Sequence, residues 1–424
     1  MSDISAAGDA PTVAVVGAGP GGLLAARILQ LGGVAVTVYD ADTSLASRDQ
    51  GGTLDLHADS GQIALEDAQL TERFLALARM EGQAHRLLDP HGAVLVEQTP
   101  DPDETAAPEI DRAQLREMLA ASLRPGTIRW GSRLAELRGQ ELIFDDGAGV
   151  EADLVIGADG AWSRVRTALT DATPDYLGVS FIEALFSDVA RRHPEIAALV
   201  GDGHMWANGD GKSIILQRNS GDVVRGYICI RAGLDWLADA GLGAADGRGG
   251  VLDANGTRAT DTVRVRAALR DRFADFAPEL LRVIDESEGT LPNRPIFALP
   301  TPMVWSHRAG VTLLGDAAHV MAPFGGNGVN LALLDGAELA GAVVAAIRSG
   351  DDLDPVVRAY EQRMVTRASE IARGANEAIV DHFAEGGPDP DGIPDFDEEA
   401  EQWRANAVAY RAATQPAARA QPQR

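Results

Sequence analysis

The chain has 424 residues with 63 acidic against 37 basic side chains, a formal charge of −26 at pH 7. Such a balance excludes a nucleic-acid binder and a protein held on anionic membranes, because phosphate binding runs on cationic side chains that release counterions. A single cysteine, Cys229, excludes a disulfide framework, and the length is enough for one large α/β domain or two intertwined ones that need no staples.

The first eight residues carry no basic region ahead of an apolar stretch, so no secretory signal is expected, and no apolar run reaches the ~18 residues of a bilayer span. A soluble cytoplasmic protein is the expectation. Val13 to Val16 then runs into Gly17-Ala-Gly19-Pro-Gly-Gly22 and the helical pattern Leu24, Ile28, Leu31. This order predicts a strand, a tight turn and a helix N-terminus. Gly17 and Gly19 leave the backbone bare enough to touch a pyrophosphate, and Gly22 lets helix and strand pack closely. The second strand, Val34 to Tyr39, ends at Asp40, placed to hold adenosine ribose hydroxyls. The expected occupant is a dinucleotide, held by local arginines and amides against the global field; these residues leave FAD and NAD(P) both open.

Ser47 to His57 is a glycine-rich loop leading to a short strand, and a helix begins after Ser60. Arg48, beside Gly51 and Gly52, is either a cofactor contact or a solvated loop arginine, and His57 packs or hydrogen-bonds locally. Asp89-Pro-His-Gly92 predicts a hairpin. Asp111 is the expected N-cap of a helix whose first turn holds Arg112; a cation opposes the dipole there, so an anion should lie nearby. Ala152 to Gly157 reads as another buried strand, with Asp159 opening a helix that carries Ser163 and Arg166.

From Thr173 to Gly289 strands and turns alternate, which predicts an antiparallel sheet covered by a helix bearing Val263, Val265, Leu269, Phe273 and Phe276. Met205, Trp206, Tyr227 and Trp236 supply core or pocket lining. A third strand ends at Gly315-Asp316, and Pro323-Phe-Gly325-Gly-Asn-Gly328-Val329-Asn330 delivers another helix N-terminus. The rest is helical from about Asp354 to His382, with a linker, a further helix from about Glu398 to Ala412 and a tail. The expected division is a nucleotide domain over 1–84, 108–172 and 290–350, a substrate domain over 85–107 and 173–289, a helix over 351–384, and a linker, short helix and tail over 385–424.

Three stations in this order carry a resemblance: the glycine turn, Asp159-Gly160 with Ser163 and Arg166, and Gly315-Asp316 followed by Pro323 and the Gly325 to Asn330 loop. Together they resemble the single-component FAD-dependent aromatic hydroxylases of the para-hydroxybenzoate hydroxylase fold. Within that family, Gly51-Gly-Thr-Leu-Asp-Leu-His57 with Ser60-Gly-Gln, Pro108-Glu-Ile-Asp-Arg112 and Gly315-Asp-Ala-Ala-His-Val-Met-Ala-Pro-Phe324 resemble the tetracycline-inactivating monooxygenases.

The resemblance implies an α/β fold: a Rossmann-like FAD-binding domain with an inserted antiparallel-sheet substrate domain and C-terminal helices. It places Gly17, Gly19, Gly22 and Asp40 on the ADP half of FAD, Arg112 and Asp316 near the pyrophosphate and ribityl chain, and Asp55 on FAD. Arg48 matches an arginine assigned to NADPH, and Asp159 and Arg166 belong to a motif serving both nucleotides. Pro323, Gly325, Gly328, Val329 and Asn330 would border the isoalloxazine.

The implied reaction is reduction of FAD by NADPH or NADH, addition of O2 at C4a, and hydroxylation of an electron-rich phenol or enol, simple or polycyclic, by the hydroperoxide. No side-chain nucleophile and no metal are required. The helix beginning near Val329 would stabilise anionic reduced flavin, and the second domain would keep water out. The resemblance fades between Thr173 and Gly289; Met205 stands near where the tetracycline enzymes hold substrate with a glutamine, and Met205 and Trp206 are the substrate candidates. A monomer acting on a small aromatic or polycyclic molecule is expected. A reductase or dehydrogenase without oxygen insertion, and a catalytically silent flavin- or ligand-sequestering protein, remain compatible with the same residues.

Overall fold

Thr12–Val16 forms the middle of a five-stranded parallel sheet, and its composition says why: Val13, Ala14, Val15 and Val16 are all buried, as a strand covered on both faces requires. The computed structural model describes residues 11–47, 51–101, 103–252, 261–387 and 396–414. Across this sheet the order is Val311–Leu313, Leu154–Gly157, Thr12–Val16, Ala35–Asp40 and Ile128–Trp130, every pair parallel. Parallel strands deliver their C-terminal ends to one edge. Gly17, Asp159 and Asp316 therefore follow the ends of three neighbouring strands and Asp40 closes a fourth, the position where open α/β sheets bind ligands.

The helix Pro20–Leu31 packs on the long helix Asn327–Ser349. The approach depends on two glycines: a Cβ on Gly21 would lie 2.5 Å from the Ala332 carbonyl oxygen, and one on Gly336 would lie 2.6 Å from that of Gly21. By length and composition alone the long helix could cross a membrane. Its apolar residues are instead used inside the molecule, where Leu331, Leu333, Leu339 and Val343 join the core.

The second sheet has seven strands, in the order Asn293–Ala298, Asp175–Phe186, Val223–Arg231, Lys212–Asn219, His204–Gly209, His85–Leu88 and Val94–Gln98. The last two are the hairpin expected at Asp89, whose carboxylate accepts from the His91 and Ala93 amides. Alternation along the strands divides the sheet into two faces. One, with Met205, Ile214, Leu216 and Ile228, is sealed by Val265 and Leu269 of the helix Thr262–Arg272, by Phe273 and Phe276 beyond its end and by Leu280 of the helix Pro278–Glu286, while Val263, expected on the covering face, is exposed. The other, with Phe181, Ile215, Cys229, Trp206 and Tyr227, packs toward the core of the nucleotide-binding sheet. Cys229 is a packing residue whose thiol is pushed up by burial.

Asp159 opens no helix; turns and a single 3-10 turn, Arg166–Ala168, follow it. Its carboxylate accepts from Ser163 Oγ at 2.5 Å and from the Arg164 amide at 2.6 Å, closing a local turn that competes with helical hydrogen bonding. Asp111 does precede the helix Arg112–Ala121, but its carboxylate turns away from the cap to accept from Asn219 Nδ2 and the Ser220 amide of the second sheet. The helices Leu353–His382 and Phe396–Thr414 complete the described chain.

Candidate active site

The glycine turn is built by exclusion. Gly17 has φ +109°, and a Cβ there would collide with the Ala158 carbonyl; Gly19 has open space where its Cβ would be. Asp40 braces the turn itself, accepting from the Ala18 amide at 2.5 Å and the Asp42 amide at 2.8 Å. Beside it stands a residue absent from the sequence expectations. Arg116 is 2% exposed, donates from Nε to the Ala18 carbonyl at 2.8 Å and from Nη2 to Asp42 at 3.0 Å, and lies over the Trp130 ring. Its Nη1 is buried without a hydrogen-bond partner among the described residues. A desolvated guanidinium with a free N–H at a glycine turn suits a phosphate oxygen. Arg112, one helical turn earlier, is exposed, and its backbone amide donates to the Gly52 carbonyl at 3.0 Å. The two arginines share one helix at i, i+4; the signal that could have singled out Arg116 is its place on the apolar stripe with Leu115 and Leu119.

Asp316 is exposed between buried neighbours at the sheet edge, where the resemblance puts a ribityl contact. The turn holding it is fixed from behind by Asp335, which is fully buried and accepts from the Gly315 amide at 3.1 Å, His319 at 2.6 Å and Arg367 at 2.8 Å. Burial works against charge on both members of the His319–Asp335 pair, and their mutual attraction outweighs it, raising the imidazole and lowering the carboxyl. Arg166, 2% exposed, gives its guanidinium to the carbonyls of Ala161, Ala172 and Ala317 at 2.7, 3.2 and 3.0 Å. It ties the Asp159 turn to the Asp316 turn. Burial raises Asp159. Arg48 lies outside the described residues.

The loop after Pro323 reaches the long helix through two left-handed glycines, Gly325 at φ +74° and Gly326 at φ +63°. A side chain on Gly326 would collide with the carboxylate of Asp55. Asn330 is 1% exposed and fully engaged: its Oδ1 accepts from the amides of His57 at 2.9 Å and Gly61 at 3.2 Å, and its Nδ2 donates to the carbonyls of Asp55 at 2.9 Å and Gly326 at 3.0 Å. Its side chain is thus a lock between loop and strand, while the first backbone N–H groups of the helix, through Gly328 and Val329, have no partner within the helix. Asp55 also meets His57 Nε2 at 2.9 Å; burial raises the carboxyl, but the imidazole outweighs it and brings Asp55 to about 2. His57 in turn stacks on Trp403 of the last helix, centroids 4.1 Å apart.

Opposite this loop lies the inner face of the second sheet. Trp206 and His382 both meet Phe324 edge to face, at 5.8 and 5.2 Å between ring centres, and Phe181 and Tyr227 pair at 5.6 Å. A Cβ on Gly52 would be 2.5 Å from Gln217 Oε1 and 3.5 Å from the Tyr227 hydroxyl, so sheet and nucleotide domain meet closely here. Met205 is not part of this face. Strand neighbours point to opposite sides, and Met205 is fully buried among Ile214, Leu216 and the covering helices.

The model of the FAD binding domain family matches residues 10–206 and 301–375, leaving unmatched the strands Lys212–Asn219, Val223–Arg231 and Asn293–Ala298 of the second sheet. The chain is 28% identical over 408 residues to the monooxygenase penA of Penicillium thymicola, covering 85% of this chain and 93% of that one. It is 29% identical over 392 residues to the 3-amino-4-hydroxybenzoate 2-monooxygenase PtnB3 of Streptomyces platensis, covering 89% and 90%. Among solved structures the tetracycline destructase Tet(51) shares the fold, with a TM-score of 0.64 at 18% identity over 96% of this chain and 99% of that one. The chain belongs to the FAD binding domain family and is an FAD-dependent monooxygenase on the class A flavin-hydroxylase fold.

Proposed function

We propose that this monooxygenase uses NADPH or NADH and O2 to hydroxylate a small phenolic or enolic substrate on a simple or polycyclic ring. The observation that supports it is the meeting of the Pro323 to Gly328 loop with an aromatic sheet face through Phe324 and Trp206. A flat apolar ligand gains both area burial and ring stacking there.

The residues fit FAD: the open Gly19, Arg116 Nη1, which has no hydrogen-bond partner among the described residues, and the exposed Asp316 lie at or beside the C-terminal ends of the parallel strands. When bound, FAD supplies the electron transfer and oxygen activation. The chain supplies the rest. Gly17, Gly19 and Arg116 would hold the pyrophosphate, Asp316 the ribityl chain, and the helix start at Asn327 to Val329 would present N–H groups to negative charge on the ring. Asn330 and Asp55 keep that helix start in place, and the second sheet excludes water. On this reading Arg48 contacts the nicotinamide nucleotide, and Asp159 and Arg166 shape the crevice wall it approaches. The protein acts as a cytoplasmic monomer.

Purified protein should be yellow, release FAD on denaturation, and oxidise NADPH or NADH faster when a substrate is added. A screen across simple phenols, quinone-type polyketides and tetracyclines identifies the ring. Bound FAD with no NAD(P)H oxidation by any of these would point to a sequestering protein, and a colourless preparation would overturn the reading altogether.

A further inference from the structure

We propose that His382 is the group that takes the hydroxyl proton of the ring substrate, with Ser213 orienting it; the inference rests on the hydroxylase reading above. His382 is the last residue of the helix Leu353–His382 and stands edge-on to both rings by which loop and sheet meet, 5.2 Å from Phe324 and 5.8 Å from Trp206. Its Nε2 lies 3.1 Å from Ser213 Oγ. Among the described residues no hydrogen bond engages Nδ1. Ser213 is paired in register with Asn208, two residues along the strand from Trp206, so all three face the same side. Asn208 Oδ1 is buried there without a hydrogen-bond partner among the described residues. Two aromatic rings in edge-to-face contact, an imidazole nitrogen and an unsatisfied amide oxygen on one sheet face together match the edge of a flat ring that carries a hydroxyl and a second N–H or O–H group.

The chemistry needs such a group. An electrophilic oxygen attacks a phenolate faster than a phenol, because the oxygen lone pair is released into the ortho and para carbons. With Nε2–H donating to Ser213 Oγ, the Nδ1 lone pair accepts the proton: the substrate O–H bond breaks, its electrons stay on oxygen, and an imidazolium faces a phenolate. After hydroxylation the proton returns to the product oxygen, and no other oxidant or reductant is consumed in the exchange. Burial brings the imidazole down to about 4, which by itself weakens it as a base; the phenolate opposite offsets that burial once the proton has moved.

The probe is 4-nitrophenol, whose phenolate absorbs visible light, added to FAD-loaded protein at a pH below its own ionisation and read by difference spectroscopy. Wild type should bind it as the phenolate. His382→Gln should bind it as the neutral phenol, and with the phenol that best stimulates wild type its hydroxylation should fall on the order of a hundredfold while flavin reduction continues. Ser213→Ala provides a second reading, raising the pH at which the bound probe ionises. The proposal is overturned if wild type fails to bind the probe or holds it protonated, if His382→Gln keeps the phenolate band, or if Ser213→Ala leaves the ionisation unmoved. None of the probe readings needs turnover. Failure of the hydroxylase reading shows separately, as wild type that holds no FAD or yields no oxygenated product from any ring.

Discussion

Trp206 and Phe324 meet edge to face with ring centres 5.8 Å apart and planes at 85°, and they come from the two halves of the molecule. Trp206 is the last residue of the first matched segment and belongs to the second sheet, while Phe324 belongs to the loop in the second matched segment. On the proposed reading, the residues that choose the ring and those that border the flavin meet at this contact.

Because Met205 and Trp206 occupy opposite faces of one strand, their substitutions should separate cleanly. Met205→Ala should cost about 2 to 5 kcal/mol of stability and leave the ligand profile as it was. Trp206→Ala should alter which rings stimulate NAD(P)H oxidation and raise their KM about tenfold or more, with FAD retained. Thermal melts and a substrate panel on both variants check this; a changed ligand profile in Met205→Ala would contradict the face assignment.

Asp55 and His57 form a buried pair, and the sign of its pH dependence follows from the directions. Burial disfavours the His57 imidazolium, but Asp55, with Asp59 and Glu399, outweighs it and raises the group, so its contribution is present below the ordinary histidine range and lost as pH climbs through the raised value. Asp55 is lowered from 3.8 to about 2, so its contribution is present above the ordinary value and lost as pH falls toward about 2. The stability difference between wild type and His57→Gln should be largest between roughly pH 4 and 6.5 and shrink on the alkaline side. Denaturant titrations across pH measure it. A difference that stays constant would show that the pair is not ionic.

The arginines should differ in kind. Arg116→Met removes a buried cation from Asp42 and Ala18, so it should release FAD on dilution and destabilise the protein by about 3 to 5 kcal/mol. Arg112→Ala should release FAD with stability within about 0.5 kcal/mol of wild type, since the side chain is exposed. Arg48→Ala should keep FAD and raise only the KM for NAD(P)H. Flavin fluorescence after dilution, with melting curves, distinguishes the three.

What the sequence made legible was whatever a local pattern controls. The strand and turn from Val13 to Gly22, the acids at strand ends and the long C-terminal helices each follow from spacing within a few residues. The site's other half depends on which residues meet across the fold. Arg116 hid one turn beyond a more conspicuous arginine, Asp335 sat in an apolar run next to Leu334, and His382 looked like an ordinary helix end. Met205 was misplaced because strand parity depends on which sheet face meets the nucleotide domain, and no local pattern records that. Asp159 misled for a related reason: a small-residue turn after a buried strand precedes a helix at Gly17 but not at Gly157, where the carboxylate closes the turn on itself.

The central claim is that oxygen enters the substrate. Turnover under heavy-isotope oxygen gas, with the best ring substrate and NADPH or NADH, tests it most directly. One labelled oxygen atom should appear in the organic product for each productive oxidation of the nicotinamide, and Trp206→Ala should lower that yield while NAD(P)H oxidation continues. Sustained substrate-dependent turnover with no label in the product would contradict the account and leave a flavin reductase on the same fold.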